Sequence, residues 1–171
     1  MKRVVLIGPE CSGKTTLAES LARQFRAPWT SEAARRFAET SAVALSVHTV
    51  APIAELSMAL EDAALAAQPA LLIRDTDLVS TVVYSYHYYG TCDPWIEAEA
   101  ARRRADLYLL CAPDLPWTPD GIRDRPDARE ALHAAFAERL AMMQATVVQV
   151  SGVGAARSTA AAQAVRALLG R

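Results

Sequence analysis

The segment Gly8-Pro9-Glu10-Cys11-Ser12-Gly13-Lys14-Thr15 carries the spacing G-x-x-x-x-G-K-[ST], a pattern whose chemistry is phosphate binding. Glycines let the backbone curl around phosphate oxygens and aim successive amide N–H groups at them. A helix opening behind such a loop adds a dipole that favours anions. In this setting Lys14 reaches the β- and γ-phosphates of a nucleotide such as ATP, and the Thr15 hydroxyl is a ligand for Mg²⁺. The nucleotide-binding set is therefore expected to be Gly8, Glu10, Cys11, Ser12, Gly13, Lys14, Thr15 and Thr16. A chance match in a shuffled chain of this composition is rare, on the order of a few in ten thousand. Lys14 is one of only two lysines, beside Lys2, and it stands where a compact ammonium rather than a planar guanidinium is required.

Phosphoryl transfer needs more than a phosphate cradle. It needs a carboxylate to hold the metal, a carboxylate to orient the attacking hydroxyl and accept its proton, and cations on the equatorial phosphate oxygens. Leu71-Leu72-Ile73-Arg74-Asp75 is an apolar run closed by an acid, the form of a metal-shell aspartate, so Asp75 is the second candidate Mg²⁺ residue. Asp77, two residues on, suits either substrate binding or an N-cap of the next helix. Glu32, after Trp29-Thr30-Ser31, fits the hydroxyl-orienting base, with Asp77 as its competitor and an ordinary first-turn glutamate as the plain alternative. Arg123 and Arg125 suit the cation role, with Arg35 or Arg129 as substitutes. Tyr84 and Tyr88 are spaced i, i+4, a packing pattern first and a ligand-stacking pattern second, and His87, alone and without a metal constellation, is read as structural or incidental.

These residues need a scaffold that gathers loop ends at one edge. Apolar runs that read as strands lie at 3–7, 29–31, 70–75, 106–111 and 146–150, separated by helix-period segments. The stripes Leu17/Leu21/Phe25, Ile53/Leu56/Leu60/Ala63 and Leu132/Phe136/Leu140 mark three of the helices, the first spanning Thr16 to Phe25. Alternation of this kind implies right-handed crossovers and a parallel sheet covered on both faces, with ligands beyond the carboxyl ends of the strands. Pro113 to Pro126, with four prolines, Gly121 and the charges Asp120, Arg123, Asp124 and Arg125, reads as a lid over roughly residues 113–128, or as a surface loop whose charges pair among themselves. Gly152 to Ala156, after the last strand, is a candidate contact for the nucleotide base.

Composition narrows the class. At 171 residues and 52% apolar content the chain is expected to form one domain. A formal charge of −1 without a long basic run argues against nucleic-acid binding, and Arg102-Arg103-Arg104 reads as cations closing a helix. Cys11, Cys92 and Cys111 form neither a C-x-x-C pair nor an even set, as expected of a reducing cytoplasm. No apolar run approaches the roughly 18 residues of a membrane span, and a chain that opens directly on an apolar strand is expected to carry no signal peptide.

The segments GPECSGKTTL, PWTSEAARRF, RDTDLVSTVVYSYHYYG, ADLYLLC and PWTPDGIRDRPDAR, in this order, resemble the kinase half of NadR-type ribosylnicotinamide kinases over most of the chain. The resemblance implies a three-layer P-loop fold of the adenylate-kinase kind with strand order 2-3-1-4-5 and a lid. It also implies transfer of phosphate from MgATP to the 5′-hydroxyl of nicotinamide riboside. It places Glu32 and Asp75 near the acceptor ribose and metal, makes Arg123 and Arg125 lid arginines, and suggests Trp29, with a tyrosine from 84–89, as a surface for the cationic pyridinium ring. Two other readings stay open: a kinase for another nucleoside or cofactor precursor, and a nucleotide-gated switch or AAA-type motor. Neither Lys2 nor Lys14 stands in the N-K-x-D context of a guanine-reading switch.

Overall fold

The computed structural model describes residues 1–117 and 126–170. Five strands, β1 (Lys2–Ile7), β2 (Trp29–Thr30), β3 (Leu71–Asp75), β4 (Leu107–Cys111) and β5 (Val147–Val150), form one parallel sheet in the order β2-β3-β1-β4-β5. All five expected strands are present, with ends moved by a residue. β3 and β4 are buried along their whole length, as continuous apolar runs in a sheet covered on both faces must be. The order reverses on either side of β1, so the crevice at the carboxyl end of β1, between β3 and β4, is where a ligand fits.

Period-two alternation sorts the strand side chains between two cores. Val4, Leu6, Leu71, Ile73, Leu107 and Leu109 face α1 (Lys14–Phe25) and α7 (Gly154–Leu168). Val5, Ile7, Tyr108 and Leu110 pack with residues of α3 (Val50–Leu65), α4 (Leu78–Tyr89), α5 (Pro94–Arg102) and α6 (Arg129–Met142). The short α2 (Ala33–Thr40) leans on α3. The expected stripe Leu132, Phe136 and Leu140 is the buried face of α6. The arginine run does close a helix: α5 ends at Arg102, and Arg103 reaches Glu99, Glu61 and Asp62.

The expected α3 stripe is displaced. Its buried residues are Val50, Ile53, Ala54, Ser57 and Glu61, whereas Leu56 and Leu60 are half-buried and Ala63 is exposed. The cause lies in β3, where Arg74 points from the sheet into this layer and needs partners. Glu61 supplies a carboxylate at 3.0 Å and Ser57 its hydroxyl and carbonyl at 3.1 and 3.2 Å. Arg3 and Arg103 complete the shell of Glu61, which is fully buried. An isolated buried charge is costly enough that helix α3 turns two polar residues inward to meet it.

Candidate nucleotide and acceptor site

The loop from Gly8 to Gly13 leaves the end of β1 and enters α1 at Lys14. Two glycines in it have a reason to be glycine, Gly8 by contact with backbone and Gly13 chiefly by its left-handed conformation. A Cβ on Gly8, at φ +140°, would lie 2.6 Å from the Cys111 carbonyl oxygen, and one on Gly13, at φ +75°, would lie 2.8 Å from Leu115 Cδ1. Cys11 also takes a left-handed backbone, with φ 50°. Ser12 Oγ and Lys14 Nζ both donate to the Pro9 carbonyl, at 2.7 and 2.8 Å, so the lysine is folded over its own loop. Thr16 is exposed on the first turn of α1.

Asp75, the last residue of β3, accepts a hydrogen bond from Thr15 Oγ1 on Oδ2 at 2.5 Å. The two expected metal residues therefore meet, although 60 positions apart in sequence. A hydroxyl and a carboxylate at the head of the phosphate loop are hard oxygen donors, the set Mg²⁺ takes when phosphates and water complete its shell. Among the described residues no cluster of three or more His, Cys, Asp or Glu could hold a metal unaided.

Beside the loop, on the α2–α4 side, lies a cavity of about 440 Å³. Glu10 is the phosphate-loop residue in its wall; Glu32, Arg35, Asp77, Tyr84 and Tyr88 line it as well. Glu10, expected among the nucleotide contacts, thus faces the second compartment, and Tyr88 donates to its Oε1 at 3.1 Å. The Tyr84 and Tyr88 rings stack at 6.1 Å, and Tyr84 meets Phe136 edge-on at 5.6 Å, so these tyrosines serve packing and lining together.

Asp77 is the N-cap of α4, its Oδ1 accepting from the Val79 amide at 2.9 Å. Its Oδ2 accepts from the Tyr108 hydroxyl, also at 2.9 Å. Burial pushes the Asp77 carboxyl above the usual range against the lowering pull of Arg74 and these two donors, and burial likewise raises the Tyr108 hydroxyl. The capping alternative is therefore correct for Asp77, and the same side chain also borders the cavity.

Trp29 requires a correction. It pairs in register with Ile73, so it shares that residue's side of the sheet, and it lies against the α1–α7 core. It is not among the residues lining the cavity. One step along the strand, Thr30 pairs with Arg74 and takes the other face, which is how a two-residue strand turns its tryptophan away from the cavity. Arg123 and Arg125 lie outside the described residues. Among the described arginines, Arg129 at the start of α6 approaches the loop, donating to the Cys11 carbonyl at 3.3 Å, and Arg35 lines the cavity.

Several residues here had little or no signal in the sequence. Thr76 has φ 67°, a left-handed backbone that costs a β-branched residue about 1–3 kcal/mol, and it borders the cavity between Asp75 and Asp77. Ser80 Oγ is buried at the cavity wall with no hydrogen-bond partner among the described residues. Arg157, in the first turn of α7, donates to Ser12 and Ala112 carbonyls at 2.7 and 3.0 Å. Only the run Asp75-Thr76-Asp77 at a strand end hinted at any of them.

With this geometry in view, the likenesses to known proteins can be placed. Trifunctional NAD biosynthesis/regulator protein NadR of Escherichia coli (strain K12) is 29% identical over 127 residues, covering 72% of this chain and 31% of that protein. The NadR protein of Salmonella typhimurium gives the same figures. A crystal structure of NadR protein in complex with NAD and AMP-PNP superposes with TM-score 0.86 at 24% identity, over 99% of this chain and 50% of the other; one in complex with NR gives 0.84. Thymidylate kinase from Ehrlichia chaffeensis gives 0.69 at 13% identity over 98% of both chains. The chain thus spans about a third of the length of the curated relatives it matches, and the structural likenesses speak to fold, which is the one shared with NadR protein and thymidylate kinase. The family described as AAA domain matches residues 3–157, and this chain belongs to that P-loop family.

Proposed function

We propose that this chain is an ATP-dependent small-molecule kinase whose acceptor is a nucleoside, with nicotinamide riboside, converted to nicotinamide mononucleotide, as the leading substrate. The observation that carries the reading is the cavity of about 440 Å³ that meets the phosphate loop at Glu10. Its volume falls within the roughly 300–1,000 Å³ of small-molecule sites, and it opens where a γ-phosphate held by the loop would be presented. Three carboxylates (Glu10, Glu32 and Asp77) against one arginine (Arg35), with tyrosine faces nearby, favour a cationic ring over an anionic acceptor.

In this reading the acceptor hydroxyl attacks the γ-phosphorus, the bond to the β–γ bridging oxygen breaks, and Glu32 takes the hydroxyl proton. Lys14 holds the β/γ oxygens. Thr15 and Asp75 would hold Mg²⁺, which when bound offsets the charge of the phosphate oxygens. Arg129, which donates to the Cys11 carbonyl of the loop, shares with Arg123 and Arg125 the proposed role of a cation on the transferring group. Residues 1–171 act as one kinase domain, and three free cysteines, two of them buried, suit a reducing cytoplasm.

An acceptor panel tests this. With MgATP, nicotinamide riboside should exceed thymidine, cytidine and adenosine in kcat/KM; a preference for one of the others keeps the kinase and replaces the substrate. A nucleotide-gated switch or motor is the second reading, favoured by the AAA description of the family. ATP turnover that ignores every small acceptor and depends on a protein partner would establish it.

A further inference from the structure

Donor and acceptor must approach the phosphate loop from different sides. The cavity occupies the β3 side, lined from α2, α3 and α4, so a nucleotide whose phosphates lie in the loop has its ribose and base directed toward the carboxyl ends of β4 and β5. Three segments converge there: the phosphate loop at Ser12–Gly13, the stretch Ala112–Leu115 after β4, and Gly152 after β5.

One side chain joins all three. Arg157 is almost wholly buried and spreads its guanidinium among four acceptors: Ser12 O at 2.7 Å, Ala112 O at 3.0 Å, Gly152 O at 2.9 Å and Asp114 Oδ1 at 2.6 Å. Asp114 closes the ring, its Oδ2 accepting the Gly152 amide at 2.6 Å. Although burial works against it, the Gly152 amide and the Arg157 guanidinium hold the Asp114 carboxyl below the usual carboxylate range. Leu115 presses on Gly13 from the same side. A rigid fork with five donors can bind three carbonyls and a carboxylate at once, which a lysine cannot.

We infer that Arg157, through its hydrogen bonds to Ser12, Ala112, Gly152 and Asp114, is a positioning residue for the donor nucleotide, locking the phosphate loop and the base-side loops into one preformed surface. The Ser12 carbonyl belongs to the peptide whose N–H is that of Gly13, so fixing the oxygen fixes the direction of a donor aimed at the phosphates. Gly152, gripped through both its N–H and its C=O, cannot drift from the base. The affinity so gained comes from preorganisation and needs no contact between Arg157 and the nucleotide. It acts on the donor alone, because the ring lies across the sheet from the cavity. This inference rests on the proposed nucleotide-binding function.

The test is binding of a non-hydrolysable ATP analogue by calorimetry, without acceptor, joined to steady-state KM values for ATP and for the acceptor. Arg157→Met should weaken analogue binding and raise the KM for ATP at least tenfold, with the acceptor KM within twofold of wild type. Arg157→Lys should recover part of the loss. Should Arg157→Met fail to fold, Asp114→Ala removes only the half-exposed outer member of the ring and should weaken the analogue three- to fivefold. A folded Arg157→Met protein, or in its place Asp114→Ala, that binds the analogue within twofold of wild type overturns the inference while leaving the kinase reading intact. Equal rises in both KM values also overturn it, since a general loosening would do that. A wild-type protein that binds no nucleotide overturns the function itself and this inference with it.

Discussion

Thr15 Oγ1 and Asp75 Oδ2 lie 2.5 Å apart, one opening the helix behind the phosphate loop and the other ending the strand beside it. The contact joins helix α1 to the end of β3, whose pairing with β1 brings Leu6 beside Asp75. Because rigid elements hold Thr15 and Asp75, each can be tested with little risk to the fold. Thr15→Val and Asp75→Asn should each lower kcat with MgATP by about 10²-fold or more, and both should shift the Mg²⁺ concentration needed for half-maximal rate upward. Activity that is unchanged and insensitive to EDTA would remove both residues from the metal site.

Lys14→Ala should abolish phosphoryl transfer by several orders of magnitude in a protein whose circular dichroism is unchanged, because the charge over the β- and γ-phosphates is gone. Near wild-type turnover would be incompatible with the loop as the donor site.

The proposed base, Glu32, and the cavity carboxylate at the phosphate loop, Glu10, can be separated by kinetics. Glu32→Gln should lower kcat by about 10²–10⁴-fold with a smaller change in KM, as loss of a proton acceptor does. Glu10→Gln, which keeps a group able to accept from Tyr88, should change the acceptor KM more than kcat. The reverse pattern would exchange their roles.

Trp29 supports the core. Trp29→Ala should lower Tm and cost about 3 kcal/mol or somewhat less, given its partial burial, while the KM ratio between a cationic and a neutral nucleoside stays fixed. A selective loss for the cationic acceptor would return Trp29 to the substrate site.

Asp106 gives a pH signature of stability. It accepts from Lys2 Nζ at 3.0 Å and from the Arg3 amide at 2.8 Å, and although burial opposes them these donors hold its carboxyl below the ordinary value of 3.8. A carboxyl depressed in the folded state stabilises above its unfolded value, and that contribution is lost as pH falls through the folded one. Asp106→Asn should therefore lower Tm at pH 7, and the gap to wild type should narrow on titration below about pH 4. A gap constant from pH 7 to pH 2.5 would exclude the charge as its source.

The parts legible from the sequence were those written in local spacing. The phosphate loop, the five strands and the Asp75 strand end follow from period, glycine placement and an apolar run closed by an acid. Asp77 was ambiguous because a cap and a pocket carboxylate use the same residue type at the same place. What could not be read was set by register and by buried polar pairing. Nothing local to Trp29 says which face a two-residue strand presents, since that is decided by its partner Ile73. The inward turn of Ser57 and Glu61 on α3 follows from Arg74 in another element, and Arg157 meets Ser12 across 145 positions.

The division of labour along the chain has a consequence for how such a protein can be re-engineered. The chamber beside Glu10 is drawn almost entirely from one continuous stretch, residues 32–89, while the grip on Ser12 and Gly152 comes from residues 112–157. In the proposed kinase, exchanging the first stretch would alter the acceptor while sparing the donor side only if Asp75, which lies inside it and meets Thr15, is kept. Engineering of the acceptor range is thus expected to succeed through substitutions in that block around a fixed Asp75, with the later block left as it stands.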